Sequence, residues 1–166
     1  MATRLAKPAA AAFLVLGLIL SGCAAPPEAA APQAGLDDGI VKVRSAYSVA
    51  ETVARLKQDV AAKGIQFFME VDQAKLAADA GITLRPSTLL IFGNPPLGTQ
   101  FITANAAAGL DWPVRLLVTE DEAGAVWAVY TDFDWIKRRH RIADRDPQFA
   151  MASEVIASIT ASVAAP

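Results

Sequence analysis

The sequence is short of the residues on which most catalytic chemistry relies. Its 166 residues include one cysteine, Cys23, and one histidine, His140. A single thiol closes no disulfide within the chain, and no Cys/His set exists for a conventional zinc site. No second histidine is present to complete a triad, and no serine sits in a nucleophile-elbow motif. Neither a Rossmann fingerprint nor Walker spacing occurs. Basic residues number 15 and acidic residues 17, for a formal net charge of −2. That balance argues against nucleic acid as a partner. No catalytic set, cofactor or metal is expected from these counts.

What the chain does have begins at its N-terminus. Arg4 and Lys7 precede an apolar run from Ala9 to Leu20, followed by Leu20-Ser21-Gly22-Cys23. A charged start, a short apolar stretch and small residues are the marks of an export signal. The run falls short of the roughly 20 apolar residues that a membrane-spanning helix needs. Leu20 to Cys23 resembles a bacterial lipobox, which implies that residues 1–22 are a signal peptide. Cys23 would then carry a diacylglyceryl thioether and an acylated amino group. Several acyl chains at about 0.8 kcal/mol per buried methylene hold a protein stably on a membrane. Ala24, rather than Asp, follows the cysteine, which resembles sorting to a Gram-negative outer membrane, facing the periplasm. Removing Arg4 and Lys7 leaves the mature chain more acidic still. Residues 23–39 are rich in alanine and proline with almost no large apolar groups, and read as a flexible tether.

Residues 40–164 have the length of one domain. Ile40 to Ala46 alternates as a strand. Ser48-Val49-Ala50-Glu51 fits a capping box opening a helix whose buried face is Val49, Val53, Leu56 and Val60. Gly64 ends it. Ile65, Phe67, Met69 and Val71 alternate with Gln66, Phe68 and Glu70 as a half-buried strand. Asp72 is placed to cap a short helix over Gln73 to Ala80. Thr88 to Phe92 is a continuous apolar strand, and a third helix is expected over Leu97 to Ala107. Val114 to Thr119 and Val126 to Thr131 flank an acidic hairpin loop. Asp132 or Asp134 starts a basic helical segment, and Asp146-Pro147 reads as a cap and first residue of the last helix. The order βαβαβαββαα predicts an α+β fold: one compact domain with a mixed or largely antiparallel sheet packed against helices. A small doubly wound fold is the alternative.

Leu84 to Pro95, Leu97-Gly98-Thr99, Leu110 to Arg115 and Trp127 to Tyr130 together resemble the domain of unknown function 302 family. Tyr47-Ser48-Val49 and Gly64 fit as well, so the resemblance covers about Val43 to Ile159. It implies a compact α+β domain that often pairs into homodimers, without an established activity. Many bacterial members carry a histidine where this chain has Gln73, so a site built on that histidine is in doubt here. The family histidine matching His140 is retained.

Gly93-Asn94-Pro95-Pro96-Leu97-Gly98-Thr99 is the best candidate ligand loop, with Asn94 and Thr99 offering an amide and a hydroxyl at a helix start. The same residues also suit a tight turn. Arg115 and Tyr130 would complete the pocket, with His140 at its edge. His140 has Asp132, Asp134 and Asp144 nearby in sequence, a set suited to a mononuclear metal site, and His140 alone would suit a general base. Lys137-Arg138-Arg139-His140-Arg141 is the one dense basic run, suited to anionic lipid or to salt bridges with those aspartates. Glu120, Asp121 and Glu122 read as an exposed loop. Trp112, Trp127, Trp135 and Tyr130 suit core, pocket or dimer face. The expected function is a lipid-anchored envelope protein that binds a small molecule or a protein partner without catalysis. The alternatives are an enzyme using His140 with a carboxylate, and a structural homodimer.

Overall fold

The computed structural model describes residues 38–165; the leader, Cys23 and most of the expected tether lie outside them. Five strands form one sheet in the order β1-β5-β4-β3-β2, with every neighbouring pair antiparallel. They are β1 (Ile40–Arg44), β2 (Gln66–Asp72), β3 (Ser87–Gly93), β4 (Val114–Glu120) and β5 (Val126–Thr131). The expected α+β class is the one observed, and antiparallel pairing excludes the doubly wound alternative. The helices are α1 (Val49–Ala62), α2 (Gln73–Asp79), α3 (Pro95–Ala104), α4 (Phe133–Arg139) and α5 (Asp146–Ala161), with a 3-10 turn over Ala106–Leu110.

Side-chain alternation decides which sheet face is covered. Leu90 and Phe92 on β3, Leu116 and Val118 on β4, and Val126 and Ala128 on β5 point to one face and are buried. They pack with Leu56 and Val60 of α1, Phe101 of α3, Ile136 of α4 and Ile156 and Ile159 of α5. Each fully buried side chain of this size contributes roughly 1.5–3 kcal/mol. Helix α2 contributes no buried residue.

Local signals explain most boundaries. Ser48 Oγ accepts from the Glu51 amide at 3.3 Å, but the Glu51 carboxylate takes Arg55 instead of closing the capping box. Lys63 is the C-cap of α1, and Gly64 follows it with φ +65° in the left-handed region. Asp72 and Asp132 cap α2 and α4, accepting from Lys75 N at 2.8 Å and Trp135 N at 2.7 Å. Three expectations need correction. The third helix starts at Pro95, because Asn94 is its cap and prolines are tolerated where no helical N–H bond is made. It also ends at Ala104, where Asn105 turns extended and the chain tightens into the 3-10 turn. Asp146 is already helical; Arg145 is the N-cap and makes no side-chain capping bond.

The expected alternation along β2 is broken by a bulge between Phe67 and Met69. Phe67 pairs with Phe92 on the helix side, whereas Met69 pairs with Ile91 on the opposite face. The extra residue, Phe68, meets Trp112 edge to face at 6.1 Å.

Trp112 in turn lies over Gly93 and Gly98, and a methyl group on Gly98 would coincide with the indole nitrogen. At an open helical position, Gly→Ala would stabilise by about 1 kcal/mol. Here the sign reverses: Gly98→Ala overpacks the indole and is expected to cost about 1–3 kcal/mol in urea unfolding, with a shift in tryptophan emission. A stabilised variant with unchanged emission would contradict the close approach.

Candidate functional site

Two loci stand out, and they meet at Asp111-Trp112. The first is a buried charge cluster. Asp111 follows the 3-10 turn, and its side chain is only 4% exposed. Its carboxylate receives His140 Nε2 at 2.6 Å, Arg139 Nη1 at 3.0 and 3.1 Å, and Arg115 Nη2 at 3.0 Å. Arg115 Nη2 also donates to the Leu110 carbonyl at 2.6 Å. His140 is the C-cap of α4 and is buried, and its own carbonyl accepts from Asn105 Nδ2 at 2.8 Å. Facing a carboxylate, Nε2 is the nitrogen that carries the proton. The cluster therefore pins the end of α4 and the α3 turn to the start of β4. A small cavity of about 10 Å³ adjoins it, lined by Asp111, Val114, Arg115, Thr131, Phe133 and Ile136. That is room for about one water.

The second locus is an apolar pocket of about 360 Å³ between α3, α5 and the Phe92 end of β3. Phe92, Leu97, Phe101, Trp112, Met151 and Val155 supply most of its apolar wall, while Lys63, Asn94, Glu154 and Ser158 add polar atoms. Val114 and Phe133 line both this pocket and the small cavity beside Asp111. The volume falls in the range of small-molecule sites, about 300–1,000 Å³.

The structure distributes the expected site residues between these places. Arg115 and His140 come together through Asp111. Asn94 lines the apolar pocket, but its Oδ1 already accepts from Leu97 N at 3.3 Å as the cap of α3. Thr99 is exposed, and its hydroxyl donates to the Pro95 carbonyl at 2.7 Å. Tyr130 is half-buried on the helix side of β5. Burial raises its phenol above the ordinary value, and the Asp132 charge adds to this, with Thr160 acting the other way.

The carboxylate beside His140 is Asp111, not Asp132, Asp134 or Asp144. Asp132 caps α4, and Asp144 pairs with Arg145 at 2.6 Å. In the basic run, Lys137 pairs with Asp146 at 2.7 Å, and Arg139 lies over the Trp135 ring. Asp121 is a turn former. Its oxygens accept from Ala123 N, Ala125 N and Trp127 Nε1, and the indole bond leads the effects that lower its pKa. Gln73, at the position of the family histidine, hydrogen-bonds Ser87 at 2.7 Å. Sequence reasoning missed Asp111 and Asn105 as polar organisers. The available signal was an aspartate directly before Trp-Pro at a strand start. Among the described residues, no three His, Cys, Asp or Glu side chains are grouped to hold a metal.

The fold and these loci define a single α+β domain with one helix-covered sheet face and an apolar cleft. The chain belongs to the domain of unknown function DUF302 family, whose model matches residues 41–165. It is similar to a solved structure, an uncharacterized conserved protein DUF302 from Bacillus stearothermophilus. That likeness has a TM-score of 0.69 at 15% identity, over 76% of this chain and 98% of that one. It is 40% identical over 107 residues to proteins named fluoride-specific ion channel FluC 1 from Brucella suis biovar 1 and Brucella abortus biovar 1. The match takes in 64% of this chain but only 42% and 40% of those proteins, so the chain spans about two-fifths of their length.

Removing one partner of a buried charge cluster leaves the others uncompensated. The Arg115 and Arg139 side chains are 50% and 43% exposed and can return to water, which limits the penalty. Asp111→Ala is therefore expected to cost about 3 kcal/mol in urea unfolding, the low end for a buried pair. A loss below about 0.5 kcal/mol, the level of an exposed pair, would contradict the locking role.

Proposed function

We propose that this chain is a lipid-anchored envelope protein whose DUF302 domain binds an apolar small molecule between α3 and α5 without catalysing a reaction. The observation that carries the reading is the pocket of about 360 Å³ with its aromatic and aliphatic wall. A cleft of that size with few polar groups gains affinity from excluded water and selects by shape. Asn94 stands at the pocket, whereas Arg115 and His140 act one layer away, by fixing the Asp111-Trp112 turn that shapes its wall.

The Brucella relatives support a role at a membrane. They are named as ion channels, and residues 38–165 must supply most of the 107 residues that this chain shares with them. Among the described residues, no helix is long and apolar enough to cross a membrane. In this chain, the lipid on Cys23 would supply the membrane attachment.

The enzyme alternative draws on the 2.6 Å His140–Asp111 pair. It asks that pair to reach a substrate through a cavity of about 10 Å³, and Asp111 is already shared by two arginines. A locking role fits this geometry better.

Anilinonaphthalene sulfonate is a suitable probe of the pocket. Val155→Phe projects a ring into the cleft from α5 and is expected to weaken probe binding at least about tenfold, with unchanged far-ultraviolet circular dichroism. Undiminished binding by a folded Val155→Phe variant would overturn the pocket assignment. Intact-mass analysis of the native protein tests the anchor separately: acylation of Cys23 is expected, and an unmodified thiol would remove it.

A further inference from the structure

The sheet face turned away from the main helix layer has its own chemistry. Strand register places Val71, Leu89, Leu117, Val129 and Lys42 in one row across all five strands. Met69, Ile91 and Arg115 form part of the next row, and Thr119, Trp127 and Arg44 the row on the other side. The centre of this face is therefore aliphatic and only half-buried. Its strand positions carry three cations, Lys42, Arg44 and Arg115, and no carboxylate, within a chain of net negative charge. The carboxylates beside it include Asp38, which accepts from Ile40 N at 2.9 Å, and Asp111 and Asp121. Asp111 holds Arg115, Arg139 and His140, while Asp121 holds the Trp127 indole near Arg44.

We propose that this face lies against an anionic phospholipid surface. Charge complementarity selects that occupant. A second copy would set Lys42 and Arg44 against apolar side chains or against each other, with no carboxylate among the facing strand positions to receive them. Phosphate headgroups meet them directly, while the lysine and arginine stems and the Trp127 ring suit the boundary between headgroup and acyl chain. The route of the chain agrees. Ile40, the first strand residue, is 46% exposed and belongs to this face, so the polypeptide arrives at its edge. The segment from Cys23 to Asp37 spans at most about 50 Å, enough for the domain to lie down on the membrane that holds its lipid. The route argument rests on the anchored reading, whereas the chemistry of the face does not.

The described residues hold a contiguous buried core of their own, and the solved relative consists almost wholly of this fold. Residues 38–166 can therefore be tested without the leader or Cys23, which separates the result from the question of acylation. The measurement is co-sedimentation with vesicles of phosphatidylcholine plus phosphatidylglycerol, against phosphatidylcholine alone. The domain is expected to bind only the anionic vesicles and to be released by salt. Lys42→Glu/Arg44→Glu should reduce binding about tenfold or more. Arg55→Glu/Lys57→Glu, the same charge change on α1, should reduce it less than about twofold. Equal losses in the two variants would mean that net charge alone acts, and would overturn the proposal. So would an absence of binding to anionic vesicles. Sedimentation of the domain as a dimer that Lys42→Glu/Arg44→Glu dissociates would also overturn it, by assigning the face to a second copy.

Discussion

Asp111 holds three cationic or hydrogen-bonding groups from two segments that lie far apart in the chain. Arg115 is the second residue of strand β4, and Arg139 and His140 come from the end of α4. Carboxylate bonds to ionised donors are roughly twice as strong as neutral ones, and burial strengthens them further. Trp112 is the next residue, so the lock on Asp111 also fixes where the indole sits. The indole packs over Gly93 and Gly98, meets Phe68 at the bulge and forms one wall of the apolar pocket. A polar anchor thereby sets the shape of an apolar pocket without itself lining it.

The two faces of the sheet divide the labour of the domain. The inward face, with the helices, supplies the buried core and the pocket. The outward face keeps aliphatic side chains half exposed, with Lys42 and Arg44 on edge strand β1. Bulged Phe68 and exposed Met69 mark the opposite edge, on β2. The asymmetry leaves the cleft between α3 and α5 on the helix-covered side, away from the cationic strand positions.

Much of this architecture was legible in the chain. Local rules sufficed wherever one residue decides the outcome, as with Asp72, Asp132 and Gly64 at helix ends. They misplaced the start of α3, because Asn94 acts as a cap to a helix that opens with two prolines. They also missed the bulge at Phe68, since alternation of apolar residues cannot reveal an inserted one. The site was less legible than the fold. Arg115 and His140 were recognisable as useful side chains, yet the residue that unites them, Asp111, is 29 positions from His140. That pairing exists only after α4 has folded back, so no local spacing announces it. Asn94 and Thr99 make local bonds within α3, and the sequence does not separate that role from ligand contact, because cap residues and binding residues share the same chemistry.

The central claim is that the cleft beside Trp112 admits an apolar ligand. The three tryptophans lie in different places: Trp112 in the cleft, Trp127 on the outward sheet face and Trp135 against Gly39. Their indole N–H signals in a nitrogen-15 correlation spectrum make the most direct reporters. Titration with decanoate is predicted to shift the Trp112 indole saturably, while the Trp127 and Trp135 signals stay in place. Uniform small shifts of all three, or a saturable shift confined to Trp127, would contradict a ligand site between α3 and α5.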